Sequence, residues 1–384
     1  MVEWKTLGVI CRDIIVPMRD RPKVFDGSIP WCRIEDIEGM YFNKSLSGLM
    51  VSESVIKAMN LKVYPTGTVI CSCSATLGVC AINTQPLITN QTFIGLVCSE
   101  HINNRFLYYY MSTRKKELLS LSTTGTIPYV SREKFEKMVV PVPSLPEQQR
   151  IVGILDTFTS SMENLKEQIS QRRKQYEYYR DQLLDLEGKE GVEMKTLGEV
   201  VSKECSLSYG IVQPGDDVPN GIPVVRPIDL VSMFVEKEGL KKTTKEISDS
   251  YKRTILKGNE ILFCVRGTTG VMSLASEMLK DCNVTRGIVP ITIDDKITKM
   301  FVYYQLKGLR LQKTIAEKTN GTALRQINVK DLRLLSLMLP PLSEQQRIVS
   351  ILDTFEASIH NLEQQLAQRE KQYEYYRNKL LTFE

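Results

Sequence analysis

Two histidines, His101 and His360, stand in 384 residues, so imidazole-based acid–base or nucleophilic chemistry has little to build on. No run of about 18 apolar residues occurs and no apolar stretch follows a basic start, so neither a membrane span nor a secretory leader is expected. The nine cysteines, at 11, 32, 71, 73, 80, 98, 205, 264 and 282, form no C-x-x-C pair. Cys71 and Cys73 flank a single residue on one face of a strand, which suits neither a zinc pair nor a redox motif. They are read as reduced core thiols. Nucleotide motifs of the G-x-x-x-x-G-K-[ST] and G-x-G-x-x-G kinds are missing as well. E-x-K occurs at Glu3/Lys5 and Glu193/Lys195, but without the upstream strand acid a nuclease centre needs. With 42% hydrophobic residues, the chain can build real cores and is too long for one ordinary domain.

Proline is absent from two stretches that are nearly the same stretch. Glu147–Glu187 and Glu344–Glu384 align without a gap, and 27 of their 41 positions are identical. Both are rich in Glu, Gln, Arg, Lys and Leu, so the local preference is helical. Apolar residues fall at Ile151, Leu155, Phe158, Met162, Leu165, Ile169, Tyr176, Tyr179, Leu183 and Leu186. The second copy repeats them at Ile348, Leu352, Phe355, Ile359, Leu362, Leu366, Tyr373, Tyr376, Leu380 and Phe383. The steps are 4 and 3 throughout, broken only where Arg172 and Arg369 take the seam. Such a heptad pattern predicts a coiled coil, and the matching stripe in the same chain predicts an intramolecular pair. Ser144 and Ser343 are the expected helix caps, and Gly188 and Gly191 frame a short linker after the first helix.

The rest of the chain is a looser tandem repeat. EWKTLG at 3–8 returns as EMKTLG at 193–198, SATLG at 74–78 parallels RGTTG at 266–270, and TTGT at 123–126 parallels TNGT at 319–322. Residues 1–143 and 194–341 are therefore two globular domains, 144–187 and 342–384 the helices, and 188–193 a linker. Short β-branched runs such as Val69–Cys73 and Ile288–Ile293, with a helical piece near 103–121 and 299–318, make each domain mixed α/β. The fold class expected is α+β: two mixed α/β domains joined by two long helices that form a coiled coil within one chain. The globular domains carry +4 and +6 and the helical parts −3 and −2, which fits a polyanion bound by the former.

The P-x-L-x-EQQRIV start of each helix (Pro143–Val152, Pro340–Val349) and its KQYEYYR…LL close (Lys174–Leu184, Lys371–Leu381) make the chain resemble the specificity subunit of type I restriction-modification systems. The resemblance spans the full length, and it implies that the two helices form an antiparallel coiled coil, a pseudo-twofold arrangement within one chain. It implies two target-recognition domains on double-stranded DNA, each reading one half of a bipartite, asymmetric site. It implies two methyltransferase subunits and restriction subunits as partners, in a prokaryotic cytoplasm. S-adenosylmethionine, ATP and Mg²⁺ would be bound by those partners and none by this chain, which has no N-P-P-Y motif. A type IIB- or IIG-like specificity subunit, a combined nuclease-methyltransferase and a plain coiled-coil scaffold stay open as alternatives.

Base reading needs side chains that pair with groove edges, held on rigid loops. In the first domain the candidates are Ser72, Ser74, Thr76, Thr123, Thr124, Thr126 and Tyr129, with Arg105, Arg114, Lys115 and Lys116 for phosphates. In the second they are Arg266, Thr268, Thr269, Asn320, Thr322, Arg325 and Gln326, with Arg286, Lys241, Lys242 and Lys245 for phosphates. Arg33 and Arg226 are expected to pair with Asp36 and Asp229, with base contact as the alternative. Arg172 and Arg369 either set the coil's register or touch DNA or a partner. Tyr178 and Tyr375 lie off the seam, either docking the methyltransferase subunits or packing on the recognition domains.

Overall fold

The computed structural model describes residues 2–123, 126–319 and 325–383. It divides into two compact units, Met1–Lys166 with Gln364–Glu384, and Glu167–Glu363. Each unit contains one globular domain and a part of both long helices.

In the first unit a five-stranded sheet runs Cys11–Ile15, Phe93–Cys98, Val69–Ser72, Cys80–Asn83, Tyr41–Phe42. All its neighbours are antiparallel except the last pair, so the sheet is mixed. Its central strand is buried on both faces. Val69 and Cys71 join the core that meets the helices, while Ile70 faces Phe42, Ala81 and Phe93 on the other side. A strand wet on one side would alternate; this one reads as a continuous apolar run for that reason. In the second unit, Ile261–Cys264 lies between Met272–Leu274 and Ile288–Ile291 and is divided likewise, Ile261 and Phe263 to one core and Leu262 and Cys264 to another. The Glu3–Thr6 and Val139–Val142 strands pair antiparallel, as do Glu193–Thr196 and Ser336–Leu339. Each globular domain is thus closed by joining its first strand to its last.

The long helices span Leu145–Leu183 and Leu342–Leu381. In each unit they pack antiparallel, and the contacts show how. Phe158 stacks on Tyr376 and tilts against Tyr373 in the first unit; Phe355 does the same with Tyr179 and Tyr176 in the second. Ile151 and Leu155, and their copies Ile348 and Leu352, are buried in the cores of their own units. The duplicated E-Q-Q-R start also has a physical explanation. Glu147 and Glu344 form two-pronged ion pairs with Arg150 and Arg347 on the surface. The buried Gln148 and Gln345 amides donate 2.9 Å bonds to the carbonyls of Pro143 and Pro340, fixing the angle between strand and helix.

Three expectations need correction. The first helix stops at Leu183 rather than 187, because Leu184 and Leu186 turn into the second unit's core. The cap of the second helix is Pro341, whose carbonyl accepts from Glu344 and Gln345, so Ser343 lies inside the helix. Tyr179 and Tyr376 occupy the seam only in part, since each stacks on a phenylalanine of the opposite helix but stays half-exposed. All nine cysteines are free thiols, seven of them buried. Among the described residues no helix is long and apolar enough to cross a membrane.

Leu352 and Leu155 have no exposed surface, so each Leu→Ala change should cost about 2–5 kcal/mol. The exposed Tyr178→Ala should stay within about 0.5 kcal/mol. Chemical denaturation of the three variants gives the comparison; equal midpoints would mean that the helical stripe is not packed.

Candidate nucleic-acid interface

One strand in each globular domain ends in a turn that projects from its sheet. In the first, Val69–Ser72 continues through Cys73 and Ser74 into a turn where Ala75 and Gly78 take positive φ, +59° and +86°. A segment some fifty residues later lies against it: Val130 N–H donates to the Cys73 carbonyl at 2.9 Å and Ala75 N–H to the Pro128 carbonyl at 3.1 Å. Ser74 and Tyr129 face each other in an isolated antiparallel bridge, and Thr123 N–H closes back on the Tyr129 carbonyl. The Lys115–Leu121 helix completes the frame. A Cβ at Gly78 would sit 2.8 Å from Lys115 Cβ, so glycine alone permits that approach.

The second domain builds the same frame from different letters. Gly267 and Gly270 supply the positive φ at +89° and +90°. Gly267 N–H donates to the Arg325 carbonyl at 2.9 Å, Ile327 N–H to the Val265 carbonyl at 3.0 Å, and Arg266 faces Gln326 in an antiparallel bridge. The Leu309–Glu317 helix takes the flanking place, with Gln312 Nε2 donating to the Gly270 carbonyl at 3.1 Å. Val265 N–H also donates to the Gly287 carbonyl, which puts Arg286 beside Arg266.

The two segments chosen separately in each sequence half are therefore one surface feature. Thr76, Thr123, Thr126, Tyr129, Lys115 and Lys116 are exposed there in the first domain and Ser74 is half-buried. Arg286, Thr268 and Arg325 are exposed in the second, with Arg266, Thr269 and Gln326 half-buried. Among the described residues none of these cations has a carboxylate within ion-pair distance, so their charge is available. Thr124, Asn320 and Thr322 lie outside the described residues.

Several candidates are committed elsewhere. Ser72 is fully buried; its hydroxyl donates to the Thr76 carbonyl and accepts from Val79 N–H at 3.0 Å, so it braces the turn from inside. Ser72→Ala strands the Val79 donor and should cost about 1–3 kcal/mol, visible as faster amide exchange at Val79; unchanged exchange would contradict the brace. Arg105 forms a 2.7 Å ion pair with Asp156 of the long helix, which leaves it poorly placed for phosphate. Arg114 stacks at 4.4 Å over Tyr110 and bonds Thr113. Thr269 donates its hydroxyl to the Arg325 carbonyl at 3.1 Å, fastening the two segments together. Lys241, Lys242 and Lys245 lie before, on and after the edge strand of a different sheet, and no contact joins them to the turn among the described residues.

Arg226 does pair two-pronged with Asp229. Arg33 instead meets Glu35 at 3.0 Å, while Asp36 accepts two backbone N–H groups, from Arg33 and Leu46. Arg172 lies 6.0 Å over the Phe355 ring and Arg369 lies 5.6 Å over Phe158, each capping the aromatic cluster of the opposite helix. That is the register-setting alternative. Tyr178 and Tyr375 are about three-fifths exposed, at 61% and 60%.

The family model described as type I restriction modification DNA specificity domain matches twice, at residues 17–172 and 189–370. The chain belongs to this family. It is 30% identical to the EcoR124I/EcoR124II specificity subunit of Escherichia coli over 295 residues, 73% of this chain and 70% of that one. It is 25% identical to the EcoBI specificity subunit of the same organism over 73% of this chain, and spans only 65% of that relative's length. Two solved structures share the fold. The S subunit from M. genitalium gives a TM-score of 0.58 at 14% identity, covering 100% of this chain and 97% of that one. A chain from a study of type I R-M complex assembly and conformational transition gives 0.62 at 20% identity, covering 99% and 96%. The family's two matches fall one on each globular domain with its following helix, so the duplication is a duplication of the family's own unit.

Proposed function

We propose that this chain is the non-catalytic, sequence-reading subunit of a type I restriction-modification complex. Each globular domain reads one half of a bipartite, asymmetric DNA site through its glycine-framed turn. One observation carries the reading: both domains build the same frame by backbone hydrogen bonds, but they place different side chains on it. Ser74 and Tyr129 occupy one frame where Arg266 and Gln326 occupy the other. A shared frame with unlike letters suits two unlike half-sites, whereas a symmetric dimer would be confined to a palindrome. The helices, being near copies, carry little sequence information. They set the length of the unread spacer, and the exposed Tyr178 and Tyr375 faces receive two methyltransferase subunits. Restriction subunits complete the assembly, and the partners bring S-adenosylmethionine, ATP and Mg²⁺.

Long-read methylation mapping of a host carrying the complete system tests this. Two unlike short motifs at a fixed separation are expected, and a palindromic or unbroken motif would overturn the reading. Lengthening both helices should lengthen the gap, since each helical residue adds about 1.5 Å against about 3.4 Å per base pair. The purified chain alone, given DNA, Mg²⁺, ATP and S-adenosylmethionine, should neither cut nor methylate; turnover by a homogeneous preparation would refute the non-catalytic assignment.

A further inference from the structure

The two globular domains place different side chains on their turns, so a side-chain contact that both keep away from the turns serves a purpose other than choosing bases. One shared device lies where each domain meets the long helix of its own unit. The helices Asn104–Ser112 and Lys296–Lys307 carry a matched run, Phe106-Leu107-Tyr108-Tyr109 and Phe301-Val302-Tyr303-Tyr304. The last tyrosine of each run is fully buried as a residue, yet its hydroxyl reaches a carboxylate on the long helix. Tyr109 donates to Asp156 Oδ1 at 2.7 Å, and Tyr304 donates to Asp353 Oδ1 at 2.5 Å. Asp156 and Asp353 occupy the same place in the duplicated I-L-D-T-F run.

A short hydrogen bond to an ionised carboxylate is stronger and more directional than a neutral one. Burial and the facing carboxylate hold both phenols well above their ordinary range, so they stay donors at any physiological pH. Apolar packing alone would seat the domain on the helix but allow it to rock. A bond anchored through a rigid ring fixes the tilt. Leverage makes this matter: at an arm of about 20 Å, a rocking of about 10° displaces the reading turn by about 3.5 Å, one base-pair rise.

The geometry points to Tyr109–Asp156 and Tyr304–Asp353 as paired latches that set each recognition domain's angle on its helix and so make the complex strict about spacer length. This rests on the functional reading above. Tyr109 and Tyr304 are positioning residues and touch no base.

The latches are unequal, which sharpens the test. Asp156 is also held by Arg105 at 2.7 Å, and Tyr109 lies 3.4 Å from the Thr159 hydroxyl. Among the described residues Tyr304 is the one hydrogen-bond partner found for the Asp353 carboxylate. Tyr304→Phe removes only the hydroxyl and keeps the packing ring. In the complete complex, mapped by methylation, it should raise methylation at sites one base pair too long or too short by roughly tenfold relative to the correct spacing, the worth of one charge-assisted bond. The bases read in both half-sites should stay the same. Tyr109→Phe should show a smaller increase, and Asp353→Asn, which keeps an acceptor oxygen but loses the charge, should fall between wild type and Tyr304→Phe. A Tyr304→Phe complex as strict about spacing as wild type would overturn the proposal. So would a loss of methylation that is uniform over all spacings, which marks a merely structural bond. A wild-type complex that methylates no bipartite motif would instead refute the functional reading itself.

Discussion

Exchanging residues 1–143 for the corresponding segment of a family member should rewrite one half of the recognised site and leave the other half unchanged. The fold supports a clean exchange. Glu3–Thr6 and Val139–Val142 pair antiparallel, Glu3 opposite Val142, so both ends of the exchanged piece leave the domain side by side. The first unit's core of Val69, Ile82, Ile94, Leu96 and Phe106 closes on the start of one long helix and the end of the other. Those helical surfaces are nearly duplicated in the chain, so a graft that keeps tyrosine at position 109 meets the contacts it expects. Each base pair that no longer matches costs about 1–3 kcal/mol, roughly additively, so the old site should be lost outright. Methylation mapping of the exchanged complex decides the matter. A change in both halves together would mean that the domains read DNA as one surface.

Arg266→Ala should weaken recognition by about 1–3 kcal/mol and relax a single base position, the signature of a two-pronged contact to guanine. Its backbone is held on two sides, by the bridge to Gln326 and by the bond from Gly267 N–H to the Arg325 carbonyl, so the side chain starts from a fixed base. It is half-buried, and no acid competes for the guanidinium among the described residues. Binding titrations against a panel of single-base variants at several salt concentrations separate the two roles Arg266 could play. A loss equal across the panel, with the salt slope reduced by about one, would make it a phosphate contact and refute base reading. Arg286, beside it and exposed, is expected to show that second pattern.

Retention of the Asp156–Tyr109 and Asp353–Tyr304 bonds beside the divergent turns separates two kinds of information in one domain. Under the proposed function the turn differs between domains because each turn meets different bases. The seat on the helix is kept because the two domains meet near copies of one helix, at Asp156 and at Asp353. The cation-capped aromatic clusters follow the same rule, Arg369 on Phe158 and Arg172 on Phe355.

The sequence by itself determined the long helices, their pairing within the chain, the tandem architecture and the mixed α/β class of each domain. These depend on local spacing: a 4-and-3 apolar step marks a helical stripe wherever the chain goes, and a short β-branched run marks a buried strand. It also indicated both glycine-bearing segments as candidate surfaces. Only the tertiary structure decided that the 74–78 turn lies against 128–130, and 266–270 against 325–327. Those contacts are backbone to backbone, and an N–H donating to a carbonyl leaves no mark on which residues carry them. Tertiary structure likewise turned Arg105 from a phosphate candidate into the partner of Asp156, fifty-one positions away, and Ser72 from a reader into a brace. A polar side chain on a loop looks the same in sequence whether it faces a groove or a buried partner, and only the partner's approach in three dimensions tells them apart.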